Sequence, residues 1–269
     1  MTLRLGLIGY GGIGRSILAA WAQRPIDGHE MAALLVRPHQ RAEAQAAWPD
    51  LAVTDSLAGF LAHRPDIVIE AAGQPAVRET AEAALKQGCD YFIISTGALA
   101  DAAFRARILG LALAGTGRVV IPVGATAGLD GLLAMRQDGL LSVTYTSTKP
   151  PKAWKGTPAE RAFDLDAIAA PTVIFSGRAD EAALDYPKNA NLAATVALAG
   201  LGFERTQVKL VADPAATGNT GCIEAESTSS RLTVTVSGRS SAANPKTSAI
   251  TGMSVLSALD NRQARRTFG

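Results

Sequence analysis

Three glycines near the amino terminus form the first arrangement in this chain with a definite chemical use. Residues 3–14 read Leu-Arg-Leu-Gly-Leu-Ile-Gly-Tyr-Gly-Gly-Ile-Gly, so Gly9-x-Gly11-x-x-Gly14 closes a short apolar run. In a dinucleotide site the first glycine permits the tight turn after a strand. The second lets the backbone approach a pyrophosphate, and the third lets the next helix pack close to the strand. Gly12 and Ile13 then open a helix whose free N–H groups and dipole favour the anion. Glycines also cluster in ordinary turns. Here a strand pattern precedes them, and a helix follows with Ile13, Ile17 and Trp21 on one face.

The end of the second strand distinguishes the two nicotinamide dinucleotides. NAD sites place an acid there for the ribose hydroxyls; NADP sites place a basic residue for the 2′-phosphate. This chain reads Val36-Arg37-Pro38-His39-Gln40-Arg41, with no carboxylate. A guanidinium suits a phosphate dianion through charge-assisted bonds. Arg37 therefore favours NADP, with NAD as the alternative; a solvated basic loop is the plainer reading of the same residues. Small residues follow three later strands: Glu70–Pro75, which contains Gly73; Ser95–Ala98; and Pro122–Gly128. Open α/β sheets bind ligands at the carboxyl ends of their strands, so Gly73 and Ala98 are expected near a nicotinamide.

These residues need a scaffold, and the first half supplies a pattern for one. Apolar strands at Met31–Val36, Asp66–Ala71, Tyr91–Ser95 and Arg118–Val123 alternate with helical patterns at Val77–Gln87 and Asp101–Ala114. That alternation predicts a doubly wound parallel sheet. After about residue 125 the texture changes. Leu141–Thr148, Gln207–Ala212 and Arg231–Gly238 alternate with period two, as strands with one buried face do. Helical patterns at Glu181–Leu184 and Asn191–Ala199 separate them. Asn244-Pro245 reads as an N-cap with proline at the first helical position, followed by a helix carrying Ile250, Met253, Leu256 and Leu259. The expected organisation is an α/β Rossmann domain of residues 1–124 and 244–269. An α+β substrate and dimerisation domain of residues 125–243 is inserted in it.

Bulk composition narrows the function classes. The chain has 269 residues, 48% hydrophobic and 19% charged, with a net charge of +2. This fits a packed globular protein and gives no basic footprint for nucleic acid. Two cysteines, Cys89 and Cys222, lack metal-ligand spacing, so neither a metal site nor a disulfide framework is expected. No signal-peptide pattern and no membrane-length apolar segment is present. The expected setting is soluble, reducing and cytoplasmic.

The motifs in combination resemble the two-domain aspartate dehydrogenases. The likeness runs through Gly9–Gly14, Glu70–Gly73, Ser95–Leu99, Gly128-Leu129-Asp130 and Thr148-Lys149-Pro150-Pro151 with Trp154. It continues through Phe175-Ser176-Gly177, Tyr186-Pro187-Lys188-Asn189-Ala190-Asn191, Ala212-Asp213-Pro214 and Asn244-Pro245-Lys246-Thr247-Ser248. The resemblance implies hydride transfer between a nicotinamide and L-aspartate or iminosuccinate, which hydrolyses to oxaloacetate and ammonia. It also implies cofactor contacts at Ala125 and Asn191 and a homodimer built partly on the second domain.

One position departs from the family pattern. The family carries a catalytic histidine in an Asn-x-His segment after Ala-Asp-Pro. This chain reads Asn219-Thr220-Gly221-Cys222 there, and its histidines, His29, His39 and His63, all lie in the cofactor half. Glycine supplies no proton and is expected to open space in a pocket bordered by Asn219 and Cys222. Cys222 titrates near neutrality only with a lowered pKa. Lys149 and Lys188 lie in the motif segments. A desolvated lysine there would bind a carboxylate or act as an acid; an exposed one is a solvated amine. Tyr186 is a further donor candidate, or simply a core residue. Two functions follow: an amino-acid dehydrogenase or imine reductase, or a catalytically impaired nucleotide-binding relative acting as a sensor.

Overall fold

The structure is a computed structural model that describes residues 2–238 and 250–265. The Asn244-Pro245 cap and the domain boundary expected at 244 lie outside the described residues. The chain divides into two compact units, Met1–Gly124 with Ala249–Phe268, and Ala125–Ser248.

The first unit runs β1 (Leu3–Ile8), α1 (Gly12–Gln23), β2 (His29–Leu35), α2 (Arg41–Ala47), β3 (Ala52–Thr54) and α3 (Leu57–Ala62). It continues through β4 (Ile67–Glu70), α4 (Gln74–Lys86), β5 (Asp90–Ile93), α5 (Ala102–Ala114) and β6 (Val119–Val120). The strands form one sheet in the order β3-β2-β1-β4-β5-β6, all parallel. The order reverses beside β1, so the glycine turn after β1 lies at the crevice where such sheets take dinucleotides. β4 and β5 are buried along their whole length, as central strands covered on both faces must be. β3, α2 and α3 are too short to declare themselves by periodicity.

The second unit contains α6 (Leu129–Gln137), β7 (Leu140–Lys149), α7 (Ala159–Ala162), β8 (Thr172–Arg178), α8 (Ala179–Asp185), α9 (Asn191–Ala199), β9 (Gln207–Ala212), β10 (Thr220–Ser227) and β11 (Arg231–Ser237). Its mixed sheet runs β11-β10-β7-β9-β8; β7 and β9 are parallel and the other neighbours antiparallel. Three strands were legible in sequence, and the sheet has five. β8 and β10 escape notice because glycine, serine and alanine at Ser176, Gly177, Gly221 and Ala225 blur the apolar alternation. The register places Val143, Tyr145, Ser147 and Lys149 of β7 level with Ala225, Ile223 and Gly221 of β10 and with Val208, Leu210 and Ala212 of β9 on one buried face.

The last helix, α10 (Ile250–Gln263), returns to the first unit. Its Val255 and Leu259 are fully buried in the cluster that holds Leu5, Leu7, Ile17 and Leu18. The face expected from Ile250, Met253, Leu256 and Leu259 is therefore displaced. Ile250 and Met253 are exposed, and Val255 takes their place in the core. Asp90 at the start of β5 ties this helix down: its carboxylate accepts from Arg118 at 3.0 Å and from Arg262.

Candidate active site

The glycine turn is built by close backbone approach. Gly9 has φ +105°, and a Cβ there would lie 2.7 Å from the Ala71 carbonyl of the loop after β4. A Cβ on Gly14 would collide with the carbonyl of Gly9, so α1 starts as near to β1 as a side-chain-free residue permits. Among the described residues there is open space around Gly11, and no side chain caps the first turn of α1. The N–H groups of the Gly12–Gly14 turn thus remain available to a pyrophosphate, and these residues fit a dinucleotide.

Arg15 of α1 and the two arginines after β2 divide. Arg15 stacks over the Tyr10 ring at 3.8 Å and pairs with Glu43 at 2.8 Å. Arg41 lies 3.7 Å from Asp55. Arg37 and His39 are exposed, and Arg37 makes no ion pair among the described residues. Its guanidinium is the one of the three with no acidic partner among the described residues.

Glu70, the last residue of β4, is a feature that sequence reasoning passed over. It is fully buried, yet no cation pairs with it among the described residues. Four donors satisfy its carboxylate instead. Oε1 accepts from Ala72 N at 2.8 Å, Gly73 N at 2.7 Å and Ser95 Oγ at 2.9 Å, while Oε2 accepts from Ser95 N at 2.9 Å. Burial raises its pKa, and the bonds from Ser95, Gly73 and Ala72 act against that rise. The carboxylate joins the loops after β4 and β5. Gly73 N–H is therefore engaged by Glu70, and Ala98 is fully buried in the turn after β5. An acid at the carboxyl end of a buried apolar strand was the available sequence signal.

In the second unit Lys149 ends β7 on its buried face. It is 8% exposed. Its Nζ donates to Asn189 Oδ1 at 2.9 Å and stands 5.1 Å from the centre of the Trp154 ring. Trp154 is itself fixed: it is fully buried, donates Nε1–H to Val211 O at 3.2 Å, and meets Tyr186 edge-on at 6.2 Å. Burial alone lowers the Lys149 pKa to about 8. Lys188 is exposed. The Tyr186 ring packs among Trp154 and Phe175, as a core residue does.

The space at Gly221 is not open. Gly221 lies level with Ser147, and a Cβ on it would stand 2.7 Å from the Tyr145 hydroxyl and 3.2 Å from its ring. The expected vacancy is filled by a fully buried tyrosine, whose hydroxyl bonds Ser147. Burial pushes the Tyr145 phenol well above its ordinary value, so it stays neutral. Cys222 lies level with Thr146 on the opposite face, half-buried, and so does not share the Gly221–Lys149 face. Asn219 precedes β10 and its carbonyl accepts from Gly238 N at 2.8 Å. Asn191 is the first residue of α9, and Ala125 opens the second unit.

Two family models match successive stretches of the chain. Residues 130–262 match the family model "Aspartate dehydrogenase, C-terminal", and residues 9–122 match "Homoserine dehydrogenase, NAD binding domain". The chain is 43% identical over 263 residues to the L-aspartate dehydrogenase of Ralstonia nicotianae, covering 97% of each. It is 42% identical over 269 residues to L-aspartate dehydrogenase 2 of Bordetella bronchiseptica, covering 100% of each. Among solved structures, aspartate dehydrogenase from Thermotoga maritima superposes with a TM-score of 0.77 at 26% identity, covering 100% of both chains. With a Rossmann sheet, a free helix N-terminus after its glycine turn, and these full-length relatives, the chain belongs to the L-aspartate dehydrogenase family of nicotinamide-dependent oxidoreductases.

Proposed function

We propose that the protein is an NADP-preferring amino-acid dehydrogenase that interconverts L-aspartate and iminosuccinate. The observation that carries this reading is full-length identity of 43% to an L-aspartate dehydrogenase. The preference for NADP rests on the unpaired Arg37 and on the absence of an acid at the end of β2. Bound nicotinamide accepts or delivers hydride at C4 of its ring. The chain's own part is to hold and orient. Gly9, Gly11, Gly12, Ile13 and Gly14 cradle the pyrophosphate, and Arg37 holds the 2′-phosphate. Gly73 and Ala98, fixed by Glu70 and Ser95, set the loops of the nicotinamide side. Ala125 and Asn191 are cofactor contacts by family resemblance. In the second unit Lys149, Asn189 and Asn219 are the polar groups for an acidic substrate; the exposure of Lys188 speaks against a catalytic role.

Two free cysteines suit a cytoplasmic setting. We also infer a homodimer, for which the exposed Leu141 and Val173 of the second sheet give a starting surface; light scattering at the mass of two chains tests it. The functional test is oxidation of NADPH and of NADH with oxaloacetate and ammonia, then with other keto acids. Turnover with NADPH supports the reading. Tight NADPH binding with no turnover on any substrate supports the alternative, a non-catalytic nucleotide-binding protein, for which the filled Gly221 position is the favouring observation.

A further inference from the structure

We propose that Lys149 takes the proton from, and returns it to, the substrate nitrogen, in place of the histidine for which Gly221 stands in the family pattern. The proposal rests on the dehydrogenase reading above and deepens it.

A nearly buried ammonium ordinarily has a carboxylate partner. Lys149 makes no ion pair among the described residues; its hydrogen bond goes to a neutral amide oxygen, and an indole ring lies on another side. The groups around it leave it alone in this chemistry. On its own strand Tyr145 bonds Ser147, and on β10 Gly221 offers nothing. Beyond Ala212 on β9, Asp213 turns its carboxylate to Ala215 N at 2.8 Å. On the segment before α9, Asp185 and Lys188 are exposed. Beside Trp154, Lys152 is exposed and Lys155 pairs with Asp166 at 2.8 Å. Among the described residues the charged groups named here are paired elsewhere or solvated, and burial is the cause that acts on Lys149. Near neutral pH both protonation states of such an amine are populated, as proton transfer in both directions requires.

In the oxidative direction the substrate arrives as an ammonium. The neutral Lys149 amine takes one of its protons, and the N–H electron pair stays on the substrate nitrogen. That pair forms the C=N bond as the α-carbon gives up hydrogen with its electron pair to nicotinamide. In reverse, the Lys149 ammonium returns the proton to nitrogen as carbon gains hydride. The competing role is a fixed cation that anchors a substrate carboxylate without transferring a proton.

The test compares wild type with K149R, which keeps the charge but cannot deprotonate near neutrality, and with K149M. Expected is a loss of about 100-fold or more in kcat for both variants, with the KM for aspartate in K149R within threefold of wild type. Full kcat in K149R overturns the proposal and assigns anchoring. An inactive wild type fails the dehydrogenase reading and this step with it. A second readout needs no turnover: in reductively 13C-methylated protein, one lysine resonance should titrate near pH 8 and vanish in K149R. If no lysine titrates below the others, the proposal is wrong.

Discussion

Glu70 and Lys149 are both charged, both end a strand, and both are buried, yet they are satisfied very differently. Glu70 receives four hydrogen bonds, three of them from backbone N–H groups. Among the described residues Lys149 makes one side-chain hydrogen bond, to an amide. A buried charge whose bonding capacity is filled by backbone fixes the position of that backbone. A buried charge left under-satisfied costs stability, and retention of such a cost is expected where the group meets a ligand. Under the proposed reaction, Glu70 is a positioning residue of the first unit and Lys149 a reactive residue of the second.

The variant with the largest expected effect on that contrast is E70Q. An amide NH2 must then face N–H and O–H donors, and each donor left unmatched costs about 1–3 kcal/mol. Chemical denaturation should show a loss of about 3 kcal/mol or more, with a higher KM for the cofactor and little change in the substrate KM. A stable E70Q with normal cofactor binding breaks the positioning half of the comparison. Next comes Arg37→Ala. Hydrogen bonds to a charged group are worth about 1.5–3 kcal/mol, so the KM for NADPH should rise tenfold or more while that for NADH stays put. Equal losses with both cofactors would remove the phosphate assignment.

Gly221→Ala probes the filled pocket. The added methyl meets a buried tyrosine, and overpacking costs about 1–3 kcal/mol; the doubly substituted Gly221→Ala/Tyr145→Phe protein should recover part of that loss, read as melting temperature. No destabilisation in the single variant would mean that Tyr145 yields readily. The smallest effect has the opposite sign. K149M removes an unpaired buried charge and should raise stability by about 1 kcal/mol at pH 7 while activity falls. The Lys149 pKa is lower folded than unfolded, so its cost is fully present below about pH 8 and fades as pH climbs toward the ordinary lysine value. The gain of K149M over wild type should therefore shrink between pH 8 and pH 10.5.

The sequence announced the cofactor unit because its constraints are local. Gly9, Gly11 and Gly14 act within one turn, and buried parallel strands read as continuous apolar runs. The second unit depends on register between distant strands. In sequence Gly221 reads as an open position, but only the pairing of β10 with β7 reveals that a side chain there would meet Tyr145. Lys149 and Lys188 look equivalent in sequence. What separates them is strand alternation, which turns Lys149 inward at the end of β7, while Lys188 sits exposed in a turn before α9. Glu70 looks like a loop acid until the carbonyl end of β4 is seen to meet Ser95.

If Lys149 carries the proton, the enzyme turns over without a histidine at position 221. The most direct test is the pH dependence of kcat/KM for aspartate oxidation with saturating NADP+, which reports groups on the free enzyme. The account predicts a rise governed by one group titrating near pH 8, with no inflection near 6.5, where an unperturbed histidine titrates. A profile controlled near 6.5, or flat from pH 6 to 9 at full activity, would contradict it.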